Sequence, residues 1–138
     1  MSYKISLRLY QTNPDAFFHV VEQTCLTKGH WSKVDGVMTL NMENSGTSGT
    51  VRLKSDTGEI FVIVVGVHNY KRWCDIVTDV KHDTGASLNP EYYDGGRRAS
   101  QREKQLSSFH LDNAKGRKCE IRYYNEEGND LKANIIMG

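Results

Sequence analysis

No Cys-x-x-Cys pair occurs among the three cysteines, Cys25, Cys74 and Cys119, which are odd in number and far apart. That excludes a zinc site of the finger or ribbon type and a redox motif, and it argues against a disulfide framework. Free thiols suit a reducing compartment. Charge of one sign is lacking too. Eighteen Lys and Arg against seventeen Asp and Glu give +1, so no global field draws in nucleic acid or an anionic membrane. No apolar run approaches the ~20 residues that a membrane helix needs. The start, "MSYKISLRLY", alternates polar and apolar residues without a hydrophobic signal core, and no Asn-x-Ser/Thr sequon follows. These features read as a cytoplasmic protein, soluble at synthesis.

Catalytic signatures are missing as well. Five histidines are present, but no HExxH, no G-x-S-x-G and no glycine loop followed by Lys. Nothing in the spacing pairs two carboxylates as acid and base. The expectation is a chain that is not an enzyme and carries no metal or cofactor.

What is there is strand signal. Residues 1–138 form one domain length, ample for a core without metal or disulfide staples. Tyr3, Ile5, Leu7 and Leu9 alternate with polar residues, as do Met38, Leu40 and Met42, the period of a strand with one buried face. "SDTG" at 55–58 predicts a hairpin between 50–54 and 59–67. "IFVIVVGV" is apolar on both faces and belongs centrally. Cys119, Ile121 and Tyr123 alternate again, and "EEGND" turns into a last strand, 131–137. Residues 14–23 fit either a helix opened by Asn13-Pro14 or a strand carrying Phe17, His19 and Val21.

The middle reads differently. Trp73, Ile76, Val77 and Val80 fall at i, i+3, i+4 and i+7, which predicts a helix from Tyr70 with Asn69 as its N-cap. A second, polar helix is expected over 97–106. Without a βαβ rhythm, the pattern predicts a mainly β fold, an antiparallel sandwich of two sheets. In "YKRW" (70–73) cations interleave with aromatics, a combination that can hold nucleic acid. On the predicted helix, however, Trp73 faces the core, with Lys71 and Arg72 solvated.

Ser45 and Gly46, in the glycine-rich "SGTSG", offer a hydroxyl and close backbone approach. Asn69 offers a donor and an acceptor together; it caps a helix, meets a polar neutral ligand, or does both. Asp75 and Thr78 share the polar face of the predicted helix, where Lys71 and Asp75 could also pair.

"RLYQTNPDAFF", "SGTSGT", "GVHNYKRWCDIVT", "EYY", "REKQL", "NAKGR" and "EGNDLKANII" occur in this order. Together they resemble the fungal fruit-body lectins along essentially the whole chain. The resemblance implies two sheets joined by a helix–loop–helix, similar to the actinoporin toxins, with "GVHNYKRWCDIVT" running from a central strand into a helix. It also implies a homotetramer that binds glycans. No direct membrane insertion is expected, because the N-terminus reads as a strand and the clearest aromatic cluster, "EYYDGG", is short. An actinoporin-like, membrane-active cytolysin is the alternative function.

For a site taking galactosyl-N-acetylgalactosamine, the resemblance implies Ser45, Gly46 and Asn69, with His68 beside them. "CLTKGH" before Trp31 departs from the family loop, and Glu43 and Asn44 stand where glycines are usual. For a second site, taking N-acetylglucosamine ends, it implies Asp75, Ile76, Thr78 and Arg98, with Arg97 as the alternative to Arg98. Phe109 stands there in place of the family tyrosine.

Overall fold

The computed structural model describes residues 1–80 and 82–138. Ten strands build two sheets: β1 (Tyr3–Gln11), β2 (Phe18–Cys25), β3 (Gly29–Val34), β4 (Val37–Met42), β5 (Thr47–Ser55), β6 (Ile60–His68), β7 (Lys71–Thr78), β8 (Ser108–Asp112), β9 (Lys118–Asn125) and β10 (Asp130–Met137). One sheet has the order β3-β4-β1-β10-β9-β8 and the other β2-β5-β6-β7. Between β7 and β8 the chain crosses from one sheet to the other through α1 (Gly85–Leu88), a 3-10 turn (Asn89–Tyr92) and α2 (Ala99–Glu103). One expectation of a purely antiparallel sandwich fails: β1 runs parallel to β10, with Ile5 opposite Leu131 and Leu9 opposite Ile135. First and last strands therefore lie side by side at the centre of the larger sheet.

The main core lies between the sheets. Ile5, Leu7, Leu40, Val51, Leu53, Ile63, Val65, Ile121 and Ile135 are fully buried there. A second, smaller core lies on the outer face of β6 and β7, where Leu88 and Tyr92 cover Val62, Val64, Trp73 and Val77. Gly66 is required beneath it. A Cβ there would stand 2.7 Å from the Trp73 indole nitrogen and equally close to Ser48 Cβ and the Thr47 carbonyl, so any side chain would push the indole off the sheet.

Covering both faces explains the main correction. The helix expected from Tyr70 is strand β7, paired antiparallel with β6 from His68–Lys71 to Phe61–Thr78. Its apolar residues face both ways, with Trp73 and Val77 outward under the helical segment and Cys74 and Ile76 inward. A strand buried on both sides loses its period of two, and the remaining spacing imitates a helix. Asn69 is consequently no N-cap. Asn69 and Tyr70 both have positive φ, +49° and +66°, the signature of a two-residue type I′ hairpin turn. Arg72 is buried rather than solvated, and Lys71 and Asp75 form no ion pair.

Smaller differences follow the same logic. The second helix contracts from 97–106 to Ala99–Glu103. The ambiguous stretch 14–23 gives a strand from Phe18, preceded by a turn in which Asp15 N–H donates to Asn13 Oδ1 at 2.8 Å. Strands β3 and β8 carry too few buried residues to have been visible as patterns.

The end of the sandwich at the β5–β6 turn is locked by a buried ion pair. Glu59 accepts from Arg117 Nε at 2.8 Å, from Asn113 Nδ2 at 2.7 Å and from the Thr57 hydroxyl. Arg117 also donates to the Gly138 carbonyl at 2.9 Å. Bonded first of all to Arg117, the Glu59 carboxyl is held down at about 2 against its own burial. A carboxyl whose folded pKa is depressed stabilises the fold above the ordinary value of 4.5 and loses that contribution as pH falls through about 2. Glu59→Gln should therefore lower stability by on the order of 3 kcal/mol at pH 7. Chemical denaturation at pH 7 and again near pH 2 checks this, because the difference between variant and parent should shrink at the lower pH.

Candidate functional site

At the opposite end from Glu59, two loops meet. The β4–β5 loop brings Ser45 and Gly46, and the β6–β7 turn brings Asn69 and Tyr70. Gly46, at φ +95°, donates its N–H to the Val67 carbonyl at 2.8 Å, and Tyr70 N–H donates to Ser45 Oγ at 3.0 Å. These bonds fasten one loop to the other and leave the Ser45 hydroxyl proton free to donate. Asn69 is exposed, with its carboxamide nitrogen 3.3 Å from His68 Nε2. Beneath the rim, Gln105 Nε2 donates to the His68 carbonyl at 2.6 Å, and Arg72 donates to the Gln105 carbonyl at 3.1 Å. Ser45, Gly46, His68 and Asn69 therefore stand together on a braced edge. Their set is a hydroxyl, a carboxamide, an imidazole and backbone, which matches a neutral hydroxylated ligand better than an ion.

The residues expected at a second site are distributed differently. Asp75 and Thr78 are not one helical turn apart but three positions apart on a strand, so their side chains leave opposite faces. Asp75 is buried on the outer face and accepts from the Tyr92 hydroxyl at 2.6 Å. Burial pushes its carboxyl up, while the bonds from Tyr92 and the Ile76 N–H, and the charges of Arg98 and Lys104, pull it back. Arg98 comes from the helical segment, its guanidinium 3.2 Å from Glu91. Its neighbour Arg97 is the more exposed of the two, at 63% against 28%, and holds the same carboxylate at 2.6 Å.

Ile76 and Thr78 lie on the inner side of β7, where Thr78 Oγ1 donates to the Ile60 carbonyl at 2.9 Å. Phe109 lies on the inner side of β8, against the main core. Strands β7 and β8 are the facing edges of the two sheets, so Ile76, Thr78 and Phe109 share one seam. Asp75 is separated from them by its own strand.

Several residues that brace these places gave little signal in the sequence. Ser48 donates to Asn89 Oδ1 at 2.5 Å and accepts from the Tyr93 hydroxyl at 2.9 Å. With Tyr92 on Asp75, these bonds anchor the helical segment to the sheet. Arg72 and Gln105 could be read only as cation and amide, because their partners, the Gln105 and His68 carbonyls and the Glu126 carboxylate, lie on other elements.

A neutral polar rim on a two-sheet scaffold is compatible with many binding proteins. The comparisons with known proteins decide among them. The sequence model described as "Fungal fruit body lectin" matches residues 1–135. The chain belongs to the fungal fruit body lectin family. It is 48% identical to the lectin of Boletus edulis, over 99% of both chains. A crystal structure of wild-type Xerocomus chrysenteron lectin superposes on it with a TM-score of 0.97 at 48% identity, covering 100% of both chains. A substituted form of the same lectin gives the same TM-score at 49% identity. A fungal fruit body lectin is a carbohydrate-binding protein, not an enzyme, and the two-sheet, mainly β architecture is that of the solved relatives.

The Asp75–Tyr92 bond yields a test of how the helical segment is held. Tyr92→Phe removes the hydroxyl from a buried carboxylate and should cost about 1–3 kcal/mol. The Asp75 carboxyl already lies above its ordinary value because of burial, and losing Tyr92 raises it further. The deficit should therefore grow as pH rises through the titration of Asp75. Melting curves at pH 4 and pH 8 should show the larger difference at pH 8.

Proposed function

We propose that this lectin binds galactosyl-N-acetylgalactosamine glycans at the Ser45–Gly46–His68–Asn69 rim. N-acetylglucosamine ends would be taken at the seam beside β7 by Ile76, Thr78 and Phe109, while Asp75, buried with Tyr92 on the other face of the strand, and Arg98 of the helical segment would support the site from behind rather than touch the same sugar. The observation that carries the first half is the bond from Tyr70 N–H to Ser45 Oγ. It presents a hydroxyl and a carboxamide from different loops as one fixed pair of neutral groups, ready for vicinal sugar hydroxyls. The second half rests on the resemblance together with the seam shared by Ile76, Thr78 and Phe109.

Each site alone binds weakly, since hydroxyls exchange water bonds for protein bonds at small net gain. Agglutination then requires several sites per particle, and a homotetramer provides them. Multivalent attachment to a glycan-coated surface adds about 10²–10⁴ in avidity. The role is defence or surface recognition, without direct membrane insertion. No helix among the described residues is long and apolar enough to cross a membrane, and the likeness to actinoporins is one of architecture in this reading. Cytoplasmic residence, with release by a non-classical route, accords with the free cysteines. Burial pushes the Cys74 and Cys119 thiols up to about 12, which keeps them unreactive.

Asn69→Ala should abolish galactose-type binding; the exposed amide braces no core element, and alanine at φ +49° should lower the melting temperature without unfolding the protein. Titration calorimetry with the disaccharide, alongside a melting curve, checks this; unchanged affinity would remove Asn69 from the rim.

Phe109→Tyr should strengthen N-acetylglucosamine binding by no more than about tenfold, the worth of one neutral hydrogen bond. It should leave disaccharide binding alone, since β8 and the β6–β7 turn are separate elements. A change in both affinities would merge the two sites.

A further inference from the structure

A cleft of about 370 Å³ adjoins the rim and is used by neither site. It is lined by Tyr70, Lys71 and Arg72 on one side and by Glu126, Glu127 and Gly128 of the β9–β10 turn on the other. Its position follows from the turn itself. Asn69 and Tyr70 are the two central residues of one hairpin, their Cα atoms about 3.8 Å apart; Asn69 stands on the rim and Tyr70 on the cleft. Tyr70 is 79% exposed, although its backbone is fixed by the bond to Ser45. Its backbone is fixed and its ring is open to solvent beside the cleft.

The floor is rigid. The Arg72 side chain is only 8% exposed, and its guanidinium donates to Glu126 at 3.0 Å and to the Gln105 carbonyl at 3.1 Å. Gln105 in turn donates to the His68 carbonyl, so the floor of the cleft and the rim are parts of one hydrogen-bonded frame. A further donor, Arg72 Nε, is buried there without a partner.

The charges in the cleft cancel. Arg72 and Glu126 neutralise each other, leaving exposed Lys71 as a donor and exposed Glu127 as an acceptor beside an aromatic ring. That balance suits neither an anion nor a cation. A polar, electrically neutral lining with one ring face fits a sugar residue, whose hydroxyls both donate and accept and whose C–H face rests on aromatic carbon.

The geometry points to an extension subsite. The cleft formed by Tyr70, Lys71, Arg72, Glu126 and Glu127 receives the next neutral sugar of a glycan whose galactose-type disaccharide is held at Asn69. This inference rests on the reading of the rim given above and adds to it a preference for glycans longer than the disaccharide. The Tyr70 ring supports the sugar face, while Lys71 and Glu127 bond its hydroxyls.

Calorimetry separates the possibilities. The ligands are the disaccharide, two trisaccharides bearing one additional glucose on the galactose or on the N-acetylgalactosamine, and the disaccharide carried on threonine of a short peptide. One trisaccharide should bind about three- to tenfold more tightly than the disaccharide, the gain expected from one hydrogen bond and a ring contact. Lys71→Ala and Glu127→Ala, both at exposed side chains, should erase that gain and leave disaccharide affinity and melting temperature unchanged. The inference is overturned if neither trisaccharide gains, or if the gain survives both substitutions. It is equally overturned if only the glycopeptide gains, which would make the cleft a peptide site. Asn69→Ala distinguishes the two levels. If it leaves disaccharide binding intact, the rim reading fails and the subsite with it. If it abolishes binding while no trisaccharide gains in the parent protein, the subsite alone fails.

Discussion

Burying both faces of one strand pair is the constraint on which the rest of this molecule depends. Strands β6 and β7 carry apolar side chains inward to the sandwich core and outward beneath Leu88 and Tyr92. Hydrophobic burial of this kind is worth roughly 1.5–3 kcal/mol for each large side chain, so the pair is held from both sides. The rim residues His68 and Asn69 sit at its turn, while Asp75, Ile76 and Thr78 lie along β7. Both candidate sugar sites therefore depend on one beam, and Gly66 is the position that lets Trp73 lie flat across it.

That constraint also decided what could be read from the sequence. The half-buried strands β1, β4 and β9 alternate cleanly, and their periods are plain in Tyr3–Leu9, Met38–Met42 and Cys119–Tyr123. In β7 the outward Trp73 and Val77 and the inward Cys74 and Ile76 superimpose two faces, which erases the period of two and leaves a spacing of three and four. Asn69-Tyr70 compounded the error. Turns with two positive φ angles usually announce themselves by Asn-Gly, and here a tyrosine occupies the second place. The parallel pairing of β1 with β10 was not legible at all, because it joins the two ends of the chain and no local pattern encodes it.

The rim was more legible than its supports. Ser45, Gly46 and Asn69 are residue types whose chemistry suits a neutral ligand wherever they occur. Arg72, Gln105 and Tyr92 act through partners on other elements: the His68 and Gln105 carbonyls and the Asp75 carboxylate. Their roles exist only after folding. The same holds for Asp75, which looked like half of a surface ion pair and is instead a buried acceptor.

The buried Glu59–Arg117 pair fastens the end of the sandwich away from the rim, which bears on the use of this lectin as a reagent. Strong acid near pH 2, used to strip a captured glycoprotein from an affinity resin, would titrate the fastening of the scaffold without offering any competitor at the rim, whereas milder acid leaves Glu59 charged. Release with free sugar leaves that fastening untouched and lets the resin be used again. A linker attached near the β5–β6 turn would have the opposite fault, prying at the ion pair while leaving the sugar-binding edge free. The polar outer face of the larger sheet, around Arg8 and Lys132, offers a point of attachment that disturbs neither end.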